Sequence, residues 1–108
     1  MNVRELRERF DLTCFAMPEP DREIRGGYAG DLLSWVMGRA KADQVWVTIM
    51  SNVNVSAVAA LTDVAVVVLA EGVQPDPDTA ERASEKGINL LGTASAAFDF
   101  CLALKDLV

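Results

Sequence analysis

Apolar residues recur along this chain with two different spacings, and the switches between them predict alternating helices and strands. In VRELRERF, Val3, Leu6 and Phe10 fall on one face among charges, so a short helix opens the chain. LTCFAM, Leu12 to Met17, reads as a strand, and PEPD, with its two prolines, ends it. REIRGGYAG, Arg22 to Gly30, fits either a second short strand or an ordered loop. From Asp31 onward Leu32, Leu33, Val36, Met37 and Ala40 return at helical spacing, which predicts a helix laid on something flat. VWVTIM, Val45 to Met50, is β-branched and aromatic and short enough to be a buried strand. A helix of small apolar residues follows, with Asn52 or Asn54 as its N-cap.

AVVVLA, Ala65 to Ala70, is a near-continuous apolar run, as expected of a strand covered on both faces at the centre of a parallel sheet. The next helix has Asp76 as N-cap, Pro77 at its first position and Gly87 just past its end. INLLGT supplies a last strand. Thr93 or Ser95 then caps a final helix to Leu104 that is apolar around nearly its whole circumference, which predicts burial on both sides and makes it a candidate dimer contact. Strands alternating with helices imply right-handed βαβ crossovers. The expected architecture is therefore α/β: a single compact domain over residues 1–108, with a mostly parallel sheet flanked by helices.

An apolar fraction of 51% on only 108 residues exceeds what so small a core can hide, which leads to the expectation of a homodimer. The net charge of −6 argues against nucleic acid and anionic membrane surfaces as partners, since both are bound chiefly through Lys and Arg. No secretory signal or membrane span is read: Arg4, Arg7 and Arg9 are followed by no apolar h-region, and Thr62 and Asp63 interrupt the longest apolar stretch, Val53 to Ala70. The expected compartment is the cytoplasm, with Cys14 and Cys101 reduced and packed as small hydrophobes.

GGYAGDLLSWVM, Gly26 to Met37, raises the question of a phosphate loop, but it has neither the dinucleotide glycine spacing nor a P-loop lysine. Asp31 stands at the expected N-cap, where its carboxylate would occupy the helix amides and repel an anion. Gly26, Gly27 and Gly30 are read as backbone chemistry that delivers Leu32 and Leu33 to the core, and Gly38 as a point of close backbone approach. The turn TIMSNVN gathers Thr48, Ser51, Asn52 and Asn54 at the carboxyl end of a strand, where open parallel sheets bind ligands; Thr93 and Ser95 form the analogous turn after the last strand. These six residues are the candidate ligand site, with turn formation and capping as the competing reading. Asp76 and Asp78 supply too few oxygens for a hard cation, so no metal or other cofactor is expected. With no histidine, and no basic neighbour to activate either cysteine, no catalytic residue is nominated.

Arg25 to Met37, with Trp46-Val47-Thr48-Ile49, Asn54, Val58-Ala59 and Ala96-Ala97-Phe98, resembles the DRTGG domain family over nearly the whole chain. The string that names the family is absent as a contiguous run, and only the Gly26-Gly27 region corresponds to it. The resemblance implies an α/β module related in fold to the N-terminal domain of HPr kinase/phosphorylase, of a kind found beside CBS domains in regulated pyrophosphatases and in some phosphotransacetylases; here it is read as standing alone. It carries no catalytic residues across. The expected function is that of a non-enzymatic regulatory module that binds a small metabolite or nucleotide, or passes a signal to a partner protein. The alternative is a pure interaction scaffold.

Overall fold

The computed structural model describes residues 1–108. Ten elements follow in chain order: α1 (Val3–Phe10), β1 (Thr13–Ala16), β2 (Gly27–Ala29), α2 (Leu33–Arg39), β3 (Val45–Thr48), α3 (Asn54–Thr62), β4 (Val66–Leu69), α4 (Pro77–Glu85), β5 (Leu90–Gly92) and α5 (Ala97–Ala103). The five strands form one sheet in the order β1-β5-β4-β3-β2. β2 to β5 are parallel, and β1 joins β5 antiparallel. The expected α/β architecture is what folds, with the apolar run of β4 at the centre of the sheet.

Alternation along the strands splits the core in two. Val45, Val47, Val66, Val68 and Leu91 face α1 and α5, where Val3, Leu6, Phe100 and Leu104 cover them. Trp46, Val67, Leu69 and Leu90 face α2, α3 and α4, which contribute Val36, Val55, Val58, Ala59 and Ala83. Both faces of β3 and β4 are therefore buried, which is why these strands carry no polar alternation.

Local chemistry sets the helix ends. α1 is closed by a capping box between Asn2 and Glu5. α4 begins with Asp76 at the N-cap position and Pro77 behind it, and Gly87 follows its end at φ +75°, at the positions the sequence predicts, although the Asp76 side chain makes no cap bond. The expected caps of α5 are displaced: Ala96 is the N-cap residue, and the Ala97 N–H is taken instead by Glu71 Oε2 at 2.9 Å. α3 begins at Asn54 behind Val53, with Asn52 Oδ1 accepting the Asn54 N–H, so Asn52 closes the turn one residue before the cap.

Two polar clusters pin loops to the sheet. Buried Asn89 accepts the Glu19 N–H and donates to the Glu19 and Ala65 carbonyls. Arg22 bridges Asp43 and Asp63, tying the chain before β2 to the entries of β3 and β4. Burial alone would lower its pKa, but hydrogen bonds to Asp63 and Asp43, together with their charges, leave it raised.

Candidate functional site

The four parallel strands deliver their carboxyl ends to one side of the molecule, and the turns that follow them are laced together. The Ala70 N–H donates to the Thr48 carbonyl, the Glu71 N–H to the Ser95 carbonyl and the Gly72 N–H to the Thr93 carbonyl, all at 2.8–2.9 Å. Glu71 and Gly72 both take positive φ to make this turn. The structure thus brings the two predicted polar turns to the same side, with the loop after β4 between them.

Within that lacing the six candidate residues are mostly engaged with the chain itself. Thr48 is buried and its hydroxyl donates to Asp31. The Ser51 carbonyl accepts from the Asp76 N–H and the Thr79 hydroxyl, which docks the start of α4. Asn52 holds the N–H of Asn54, and the side chain of Asn54 is exposed. Thr93 Oγ1 accepts the Ser95 N–H. Turn formation thus engages the side chains of Thr48, Asn52 and Thr93, whereas Ser51 and Ser95 take part through their backbone. The recess beside them, between Phe15, Gly72, Gln74 and Thr93, holds about 100 Å³, well below the few hundred Å³ usual for a ligand pocket.

Asp31 corrects the sequence reading. The N-cap of α2 is Leu32, which makes no side-chain cap bond. The Asp31 carboxylate reaches over the end of β3 instead, where Oδ1 accepts from Thr48 Oγ1 at 2.8 Å and the Ile49 N–H at 3.0 Å. The cause lies one residue earlier: the Gly30 N–H bonds the Val47 carbonyl, which holds the chain against β3 beyond the end of β2. The nearest free donors for Asp31 are then those of β3.

The glycines before it are backbone chemistry, as expected. Gly26 sits at φ +82°, and a Cβ on Gly27 would come within 3.2 Å of Val45. A Cβ on Gly30 would meet the Tyr28 ring at 3.1 Å, and the Gly30 carbonyl accepts from the Trp46 indole. Their expected consequence holds only in part: Leu33 is half-buried, but Leu32 is 58% exposed. A Cβ on Gly38 would have nothing within 4 Å, so the expected close approach is absent and the residue faces open space.

A ligand-sized recess lies between the face of β2 and the end of α5, beside Gly26 and Gly27, which the sequence reading assigns to backbone chemistry and not to a ligand. It holds about 340 Å³. Gly27 and Ala29 leave the room, Val45 and Val47 form the floor, and Cys101, Leu104 and Lys105 form the wall. Burial pushes the Cys101 thiol pKa up. The signal available in the sequence is the small-large-small alternation of Gly27-Tyr28-Ala29, which empties one face of β2 while Tyr28 packs on the other. Cys14 departs from its expected packing, being exposed on edge strand β1. α5 leaves Phe98 and Leu102 exposed within the single chain, at 74% and 60%, on the helix that the sequence makes a candidate dimer contact.

No family model matches the chain. No curated protein matches it. Among solved structures it is similar to the CBS and DRTGG domains of the regulatory region of Clostridium perfringens pyrophosphatase, complexed with the activator diadenosine tetraphosphate. The TM-score is 0.71 at 11% identity, covering 94% of this chain and 44% of that one, so this chain spans less than half of the neighbour's length. The likeness is one of fold: a compact α/β domain similar to part of that CBS and DRTGG region. The neighbour is a regulatory region of an enzyme, and not its catalytic domain. No helix here is long and apolar enough to cross a membrane.

Proposed function

We propose that this chain is a non-enzymatic regulatory module of the cytoplasm that binds a small metabolite or nucleotide and passes its state to a partner. The observation carrying this reading is the 340 Å³ recess between β2 and α5, on a fold shared with a regulatory region that binds a nucleotide activator. Its volume lies in the range of small-molecule sites. Its wall is mainly apolar, and its single cation, Lys105, stands beside Asp106. Such a lining favours a flat, weakly charged group over a bare polyphosphate, which would call for several cations. A screen of nucleotides and acyl-CoA compounds by thermal shift tests this, because a ligand bound only by the folded chain raises Tm by mass action. The expected result is a rise with one compound class that Ala29→Leu, which fills the recess, abolishes. A flat screen would end the ligand reading and favour the alternative, an interaction scaffold. The exposed Leu32, Trp35, Met37, Phe98 and Leu102 support that alternative.

A further inference from the structure

The recess between β2 and α5 carries its charge in one place. Val45 and Val47 make an apolar floor, Leu104 adds an apolar wall, and Gly27 and Ala29 contribute no polar side chain. Two charged side chains line it, Lys105 and Asp106, both on the turn that follows α5. Asp106 holds φ +66°, which takes the chain out of the helix. Both residues are exposed, and neither forms an ion pair with the other or with any other residue. The recess therefore offers one free cation and one free anion beside an apolar surface, with no net charge between them.

We propose, resting on the reading of this recess as a ligand site, that its ligand is the zwitterion of an apolar α-amino acid. The side chain lies on Val45 and Val47, the α-carboxylate meets Lys105 and the α-ammonium meets Asp106. An α-amino acid carries its two charges on one carbon, as the recess carries its two on consecutive residues. Size agrees: at about 30 Å³ for each water-sized group, the 340 Å³ of the recess takes about a dozen heavy atoms, the size of leucine or phenylalanine. Charge excludes the simpler ligands. A free acid or a phosphate would find its one lysine countered by Asp106, on a chain whose net charge of −6 repels anions. A free amine would be countered in turn by Lys105, and a purely apolar ligand would use neither charge. Exposed ion pairs are individually weak, so the apolar contact supplies most of the affinity and the two charges supply the selection.

The test is thermal shift and titration calorimetry on the full chain, with leucine and phenylalanine screened beside the nucleotides and acyl-CoA compounds. Phenethylamine, which lacks the carboxylate of phenylalanine, and hydrocinnamate, which lacks its ammonium, are the single-charge probes. The expected result is binding of the amino acids that Ala29→Leu abolishes, with each single-charge probe bound at least about threefold more weakly than phenylalanine, the scale of an exposed ion pair. Lys105→Gln should erase only the difference between phenylalanine and phenethylamine. Asp106→Asn, which keeps a residue suited to the left-handed backbone there, should erase only that between phenylalanine and hydrocinnamate. Lys86→Gln, on α4's end and outside the recess, should change neither. Should Ala29→Leu fail to fold, the two charge variants decide, since both residues are exposed. A single-charge probe bound as tightly as phenylalanine, or an amino-acid response that survives Ala29→Leu, would overturn the proposal. A response to nucleotides or acyl-CoA compounds without one to amino acids would overturn it too, while leaving the recess a ligand site. No response to any probe would end both.

Discussion

The Asp31 carboxylate shows how one side chain can be read correctly for type and wrongly for partner. Asp after glycine and before an apolar run is a sound N-cap signal, yet here the acid seals the end of β3. Removing it strands a buried hydroxyl and a main-chain N–H without their acceptor. Asp31→Ala should therefore cost about 1–2 kcal/mol, measured by urea unfolding, while the helicity of α2 stays the same because no cap is lost. Cys101 carries a second consequence at this scale. Its folded thiol binds its proton more tightly than the unfolded chain does, because burial raises its pKa. That contribution to stability is complete below the ordinary thiol value of about 8.5 and is lost as pH rises through the folded value. Tm should fall more steeply between pH 8 and 10 in the wild-type chain than in Cys101→Ala.

Among the elements, α5 depends most on distant residues. Its first N–H is capped by Glu71 from the turn after β4, and its inner face rests on Phe10 through an edge-to-face pair with Phe100 at 5.5 Å. Glu71→Ala should cost about 1 kcal/mol, the usual loss for an N-cap, and should show first as faster amide exchange in the opening turn of α5. α4 behaves differently, since its Asp-Pro start and glycine stop are contiguous in sequence and position the helix as predicted. These two helices differ in legibility: at α4 the signals adjoining the helix ends placed it, whereas the cap of α5 is supplied from 26 residues away.

For the whole molecule, exposed apolar residues gather beside β2, where Leu32, Trp35 and Met37 in and before α2 lie open within the single chain. The homodimer expected from the apolar fraction would cover such a surface. Sedimentation of the full chain at micromolar concentration measures this: a dimer is the expected outcome, and a clean monomer would overturn the expectation.

The hydrophobic pattern by itself determined the strands β3, β4 and β5, the central place of Val66–Leu69, the helices between them and thus the fold class. It could do so because burial on one face or two leaves a periodic trace that local sequence records. The choice between strand and loop at Arg22 to Gly30 needed the neighbour: only Gly27–Ala29 pairs with β3, and the rest is loop. The tertiary structure alone decided which donors Asp31 would find, that Glu71 would cap α5, and that the polar turns after β3 and β5 would be consumed in lacing the loops together. It alone opened the recess over β2, because a cavity is defined by side chains that several elements fail to place there. Such features depend on distances between residues remote in sequence, and those distances are fixed only when the sheet has formed.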